Sequence, residues 1–342
     1  MLISENLKFN SKKWFINTIF LFVIVCSCKV WSQDVSVLQG KPVFKLEIEA
    51  YGLVYFVSAN GGSVFNEFDA DSQISVDLPI NQWMHPESSE FSTVIFPKQG
   101  ETDFSESSYL HVTLLVQDFD NKDIEYRLPL LMFNGSQYKS NKEMEKSLTK
   151  GRYHLTENNE VKLGSGAIDV GSISKTKTKY ADTARIYSRE VIIPNSLPLW
   201  AFFNSDTLPD YDAMSPDEFK KSIKEIFPAY KKVQDLLIAG DVDALVTMFA
   251  ERSREADLAF YQTPGTMSAT VRRLTQQFLD DPEWSLDIRT SEQLGLLSYD
   301  NKKLVSLVKG GAGALGFAKE NGRYYGLEIV FRQENGQWIV TR

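Results

Sequence analysis

The sequence predicts two folded domains, an all-β sandwich followed by an α+β domain. Alternating apolar segments dominate the first part, a helix-capping box appears at residue 215, and strand-like segments return after residue 284. The length of 342 residues also favours two domains, because single cores stop growing near ~250–300 residues. We expect a leader at residues 1–32, a sandwich at 33–203, a linker at 204–215 and the α+β domain at 216–342.

The leader has the layout of a secretory signal peptide. Lys8, Lys12 and Lys13 precede the apolar run 14–25, and polar sequence follows. The run is shorter than the ~18–20 apolar residues that a permanent membrane-spanning helix needs. We therefore expect export to the periplasm or the medium, with a membrane contacted only through the leader or a lipid anchor.

The leader offers two processing sites. Val30 and Ser32 are compact residues ahead of Gln33, which favours signal cleavage between Ser32 and Gln33. The segment 25–28 loosely resembles a bacterial lipoprotein box, in which Cys28 would carry the lipid and make the protein a membrane-anchored lipoprotein. An uncleaved anchor is the remaining alternative.

Cysteine usage and charge exclude several functions. Both cysteines, Cys26 and Cys28, lie in or at the end of the leader. The predicted domains therefore lack thiols for a nucleophile, Cys-ligated zinc, an iron–sulfur cluster or a disulfide. The net charge is −8, and residues 33–212 hold 26 acidic against 16 basic side chains. This acidity argues against a nucleic-acid partner, which needs a clustered basic face.

Period-two alternation predicts the strands of the first domain. Apolar residues occupy every second position of segment 44–50, as in a strand with one buried face. The same rhythm recurs in segments 74–80, 110–116 and 124–130. Repeated short strands with a single predicted helix, at about 141–150, favour a β-sandwich of either immunoglobulin-like or jelly-roll topology. Tight turns with positive φ are predicted at 60–62 and 134–135.

Helical signals follow the polar segment 204–215. Ser215, Pro216 and Glu218 match a capping box with proline at the first helical position. Further helices are predicted from about Ala229 to Gly240, from Asp241 onward, and over about 268–281 after the break at 263–265.

Strands end the predicted second domain, in an α+β order. Asn335 and Gly336 predict a final hairpin, and the glycine-rich stretch 310–316 predicts a mobile loop. The predicted strands are 284–290, 294–298, 303–308, 324–332 and 337–341.

Two segments of this domain carry a resemblance to a known family. The helix–Gly–Asp–helix junction at 236–245 and the strand with its hairpin at 325–338 resemble the nuclear-transport-factor-two-like superfamily, a cystatin-like α+β cone. The resemblance covers residues 229–342. It implies a curved antiparallel sheet wrapped around helices, with an apolar pocket at its open end. Members include enzymes, ligand binders and structural modules, so the fold does not decide the function.

Catalytic residues of the type found in such cones are sparse here. Enzymes that this domain resembles place a His–Asp or a Tyr–Asp pair in the pocket to move a proton beside a carbonyl. His85, His111 and His154 all lie in the β-rich part. A Tyr–Asp version would draw on Tyr261, Tyr299, Tyr324 or Tyr325. The sequence also lacks a Gly-x-Ser-x-Gly elbow for a serine hydrolase.

Metal and phosphate motifs are also incomplete, so we predict no metal and no cofactor. The segment 118–123 has alternating aspartates, but Lys122 stands at the third calcium-ligand position. We expect a solvated hairpin turn there, with a calcium site as the alternative. The glycines at 164–166 and 310–316 do not lie between a strand and a helix, where a phosphate cradle needs them.

These observations favour an exported, non-catalytic binding or envelope-structural protein. Its ligand would be a small molecule, a glycan or a protein. Aromatic side chains beside acids are typical of such sites, although core packing is the alternative role for each of them. The candidate ligand-binding residues are Phe260, Tyr261, Trp284, Tyr299, Tyr325 and, in the loop 81–85, Trp83.

Two other functions stay open. The first is an enzyme of unrecognised type that acts on an envelope substrate in the cone pocket, which converging ionisable groups would favour. The second is an interaction module that binds another exported protein through the acidic sandwich, which salt-sensitive association would favour.

Overall fold

The computed structural model describes residues 40–137, 148–156, 158, 160–177, 183–299, 301–309 and 312–342. This part of the chain is mostly β, with several antiparallel sheets and four helices near the C-terminus. The leader with Cys28, Ser32 and Gln33 lies outside the described residues, as does most of the helix predicted over 141–150.

The N-terminal β region, residues 40–203, forms two sheets. One has the strand order β4-β1-β6-β7, and the other has the order β3-β2-β5-β12-β10-β8-β9, with β11 also paired to β12. The strands are β1 Pro42–Tyr51, β2 Val54–Ala59, β3 Gly62–Glu67, β4 Ile74–Pro79, β5 Ser88–Phe96, β6 Tyr109–Asp118, β7 Glu125–Asn134, β8 Gly151–Leu155, β9 Val161–Leu163, β10 Ile168–Val170, β11 Ser174–Lys177 and β12 Arg185–Ile192.

The predicted alternation is confirmed, and it builds the core of this region. Every second residue of β1 from Pro42 to Ala50 is buried. Side chains from both sheets, such as Leu46 of β1 and Tyr55 of β2, belong to one contiguous apolar cluster. Burial of apolar surface from both sheets is therefore the main driving force for this part of the fold.

One of the two predicted positive-φ turns is confirmed. Asn60 and Gly61 have φ of 49° and 73°, as the β2–β3 hairpin requires. The prediction for Asn134 and Gly135 is wrong, because neither residue has positive φ. Gly135 is required for a different reason, since a Cβ there would lie 1.9 Å from the carbonyl oxygen of Ser105.

The four helices are α1 Pro216–Ala239, α2 Val242–Met248, α3 Ala250–Ala259 and α4 Thr266–Asp280. The capping box at Ser215 and the helix end at Gly240 are confirmed, and Gly240 has a left-handed conformation. The break predicted before Ala229 is wrong, because α1 runs through Pro228. Its buried residues keep helical spacing on both sides of Pro228, so packing outweighs a proline cost of about 3 kcal/mol.

The C-terminal region, residues 204–342, has strands in two further sheets. Their orders are β13-β17-β18 and β14-β15-β19-β20, with β16 also paired to β15. The strands are β13 Ser285–Leu286, β14 Gly295–Ser298, β15 Leu304–Lys309, β16 Ala312–Gly313, β17 Leu315–Ala318, β18 Tyr324–Leu327, β19 Val330–Glu334 and β20 Gln337–Val340.

Three strand predictions for this region need correction, and the first is the strand 284–290, of which only Ser285–Leu286 is a strand. The segment 324–332 is not one strand, since β18 pairs with β17 whereas β19 pairs with β15 and β20. The described part of the stretch 310–316 is not simply a loop, because it contains β16 and leads into β17, where Leu315 and Phe317 are buried. The final hairpin is confirmed, with φ of 50° at Asn335 and 77° at Gly336.

Asn81 joins the two regions. Its side-chain amide donates hydrogen bonds to the carbonyl oxygens of Pro42 and Ala259, both at 2.8 Å, and its Oδ1 accepts one from the amide of Phe44 at 2.6 Å. The backbone oxygen of Asn81 accepts a bond from Trp200 Nε1 at 3.0 Å. A residue only 1% exposed thus connects β1, the end of α3 and the segment before α1.

Replacing Asn81 should destabilise the protein strongly. Asn81→Ala leaves one buried amide and two carbonyls without their partners, and we expect a loss of about 3 kcal/mol in the free energy of unfolding. Urea denaturation of the full chain measures this loss. Asn204→Ala, at an exposed asparagine, is the control and should stay within about 0.5 kcal/mol. Equal losses in both variants would contradict this role of Asn81.

Candidate functional site

An inner cavity of about 250 Å³ lies between the helices and β17 and β18. Its walls are mostly apolar, and it is closed on one side by an aromatic stack. The ring of Phe278 lies 4.9 Å from that of Phe317 and 4.5 Å from that of Tyr325. The lining includes Phe249, Leu274, Phe278, Phe317, Arg252 and Glu328.

A second cavity, of about 330 Å³, lies between the N-terminal β region and the C-terminal region. We call it the junction cavity. Trp83 and Pro79 line it from the N-terminal side, and Phe260 and Arg342 from the C-terminal side. Arg252 and Glu328 line both cavities, so these two residues form the wall between them.

The structure separates the aromatic residues predicted as ligand contacts. Tyr325 lines the inner cavity, while Phe260 and Trp83 line the junction cavity. Trp284 does not line the inner cavity, but its ring contacts the lining residue Phe278 edge-on, with 5.1 Å between the ring centroids. These residues are therefore distributed over two neighbouring cavities rather than one.

Two predicted contacts serve mainly in packing. Tyr261 follows α3 with φ of 53° and donates a hydrogen bond from its hydroxyl to the carbonyl oxygen of Pro42 at 2.8 Å. Tyr299 is 5% exposed, and its hydroxyl lies 3.3 Å from Ser306 Oγ and 3.4 Å from Glu328 Oε1. Burial raises the pKa of both phenols, so both keep their protons at neutral pH.

The loop 81–85 is not an exposed ligand-binding surface. Asn81, Trp83 and Met84 are all buried. The Trp83 ring packs over Gly62, where a Cβ would lie 2.2 Å from the ring. The loop 81–85 therefore serves chiefly in packing at the junction between the two regions.

Arg252 was missed by sequence analysis. It lies on the same helical face as Phe249, Ala256 and Phe260, and the four residues follow one another at spacings of three and four. A cation on an apolar helix face is the signal that would have marked it. Desolvation lowers its pKa, and the charge of Glu328 partly opposes that effect.

A buried ion pair lies beside the junction cavity, which Arg342 lines. Arg342 Nη1 lies 2.5 Å from Glu255 Oε2, and both side chains are less than one-tenth exposed. The guanidinium also donates to the carbonyl oxygen of Gln82 at 3.0 Å and lies 4.9 Å from the ring of Phe202. The other Glu255 oxygen accepts a bond from the amide of Ala201 at 2.8 Å.

A polar cleft of about 550 Å³ lies on the outer face of the N-terminal β region. Glu90 of β5 and Glu190 of β12 are directly opposite each other. The rest of the lining consists of four serines with Asn60, His85, Arg189 and Phe203. His85 Nδ1 accepts hydrogen bonds from the amides of Glu87 and Ser88 at 3.1 and 3.4 Å, which identifies it as a loop-bracing residue.

The metal-like segment 118–123 forms the β6–β7 hairpin turn, as predicted. Asp118 Oδ1 accepts hydrogen bonds from the amides of Asp120 and Asn121 at 2.8 and 2.9 Å. Nowhere in the described ranges do three or more His, Cys, Asp or Glu side chains cluster as a metal site needs. Among the described residues, no helix combines the length and the apolar character needed to cross a membrane.

Comparisons with protein-family models, with curated proteins and with solved structures found no match for this chain.

Breaking the buried ion pair should destabilise the junction. Glu255→Ala leaves the Arg342 guanidinium buried without its carboxylate, and we expect a loss of about 3 kcal/mol or more by urea denaturation. The control is Asp235→Ala, which removes the exposed i,i+4 pair with Lys231. That change should cost less than about 0.5 kcal/mol. Similar losses from the two variants would show that burial of the pair is unimportant.

Proposed function

We propose that this protein is a non-catalytic binding protein whose inner cavity holds the apolar part of a small ligand. One observation carries the proposal: a mostly apolar cavity of about 250 Å³ that the surrounding side chains leave unfilled. Sites for drug-sized ligands span roughly 300–1,000 Å³, so this cavity suits a smaller molecule with one ring or a short chain.

The architecture that we propose for this function has two domains. Shared burial of side chains from the two N-terminal sheets supports a β-sandwich. A second apolar cluster, which includes Tyr230 of α1 and Phe331 of β19, supports a separate α+β domain. Its helices precede its antiparallel strands, in the order that the nuclear-transport-factor-two-like resemblance implies. The inner cavity would be the pocket of that cone.

We also propose that the binding protein works outside the cytoplasm. The basic residues and apolar run of the leader support export, with cleavage before Gln33 or lipidation of Cys28 as the two routes. The ligand would then be a small molecule of the periplasm or the medium.

Filling the inner cavity should abolish binding. Isothermal titration calorimetry of the full chain with indole and 3-phenylpropanamide should give saturable binding. Leu274→Trp places an indole ring in the cavity wall, and we expect the affinity to fall by at least about tenfold. Gln277→Trp adds the same group at an exposed position of α4 and should leave the affinity unchanged. Absence of binding by the unmodified protein would reject the proposal.

A second candidate is a proton-transfer enzyme that uses the same cavity wall. Glu328 favours it, because its carboxylate lines the inner cavity and can accept a proton, while the hydrogen bond from the buried Tyr299 hydroxyl would hold that carboxylate in place. Phenylacetone incubated with the full chain in D2O should then exchange hydrogen beside its carbonyl, as followed by NMR. Glu328→Gln should abolish the exchange. Exchange no faster than in buffer would exclude this reaction.

A further inference from the structure

The wall shared by the two cavities carries one cation and one anion. Arg252 and Glu328 each line both the inner cavity and the junction cavity. Each side chain can therefore be reached by a molecule that occupies the inner cavity and extends towards the junction. The ligand chemistry that fits this wall has to satisfy both charges.

The guanidinium of Arg252 is available for a ligand. In the described part of the chain, no carboxylate oxygen lies within 4.0 Å of it. Its nearest described aromatic partner is the ring of Phe249, at 5.9 Å. The neighbouring arginines differ, since Arg332 pairs with Glu251 and Arg342 pairs with Glu255. Within the described ranges, Arg252 thus presents a cation without a contact ion pair.

The carboxylate of Glu328 can accept further hydrogen bonds from a ligand. Its described hydrogen bond comes from the Tyr299 hydroxyl at 3.4 Å, which is long for an O–H···O⁻ bond. A carboxylate can accept several hydrogen bonds, so most of its capacity remains. Glu328 and Arg252 influence each other electrostatically without forming a close ion pair. A simple anion at Arg252 would be repelled by Glu328, whereas a molecule with both charges would be matched.

The inner cavity can hold the apolar part of such a molecule next to Arg252 and Glu328. Phe249, Leu274 and Phe317 line the inner cavity together with the ring of Phe278. The inner cavity is large enough for a single aromatic or branched aliphatic side chain, and burial of that group supplies most of the affinity.

We infer that the ligand is a free α-amino acid with an aromatic or large aliphatic side chain. Its carboxylate pairs with Arg252, its ammonium group pairs with Glu328, and its side chain fills the inner cavity. This inference rests on the proposed binding function and names the ligand class of the same cavity.

Four probes of the same ring size test this assignment in titrations of the full chain. L-phenylalanine carries both charges, 3-phenylpropanoate carries the negative charge, 2-phenylethylamine carries the positive charge, and 3-phenylpropanamide carries neither. We expect L-phenylalanine to bind at least about tenfold more tightly than each of the others, because charge-assisted hydrogen bonds contribute at both ends.

Two substitutions separate the two charges. Arg252→Met should weaken L-phenylalanine and 3-phenylpropanoate by at least about tenfold and leave 2-phenylethylamine no weaker. Glu328→Gln should weaken L-phenylalanine and 2-phenylethylamine instead. Arg254→Ala, at an exposed arginine of the same helix, should change none of the affinities. Arg252→Met should also melt no earlier than the unmodified protein, because it removes an unpaired and partly desolvated cation.

The outcomes distinguish this inference from the function it rests on. If 3-phenylpropanamide binds as tightly as L-phenylalanine, the amino-acid assignment is wrong while apolar binding stands. If 3-phenylpropanoate matches L-phenylalanine, the role of Glu328 fails, and the inference fails with it. If none of the four probes binds, both the proposed function and the inference are rejected.

Discussion

The structure depends on how helix α3 is held between the two regions. The helix ends at Ala259, whose carbonyl oxygen accepts a hydrogen bond from the buried side chain of Asn81. One turn earlier, Glu255 pairs with Arg342 and accepts a bond from the amide of Ala201. Since these groups are buried, each would be costly to leave unpaired, and together they fix the position of the helix.

The same helix also orients its neighbours. Asp257, which is 4% exposed, accepts hydrogen bonds from the amides of Gly265 and Met267 at 2.7 and 2.8 Å. Its carboxylate thus satisfies amide groups at the start of α4, where a negative charge is favourable. Because α4 supplies Leu274 and Phe278 to the inner cavity, the shape of that cavity depends on the anchoring of α3.

Sequence patterns predicted part of the local structure in this protein. Alternation located β1, β4, β6 and β7, and capping signals located the start and the end of α1, because these features depend on near neighbours in the chain. The continuation of α1 through Pro228 was not predicted, since it depends on packing against other elements. The same applies to β17, where the backbone approach of Gly316 to Tyr325 cannot be seen in the sequence.

The candidate site was only partly predictable for the same reason. Aromatic residues marked the region, and Tyr325 does line the inner cavity. Tyr261 and Tyr299 are also aromatic residues of this region, but they serve in packing. The sequence could not distinguish their role, because it depends on neighbours that only the fold brings close. The decisive pair, Arg252 and Glu328, is separated by 76 positions in the sequence. Only the folded chain brings them to one wall.

Arg252 differs from the acidic residues of α3 in its polar contacts. Glu251, Glu255 and Asp257 each have partners that account for their burial, and each contributes to holding the helix in place. Arg252 lies among them, is partly buried, and has no contact partner among the described carboxylates. A partly buried cation without a contact counter-ion contributes little to the stability of the fold. Its position is therefore better explained by a group that arrives after folding than by the stability of the protein alone.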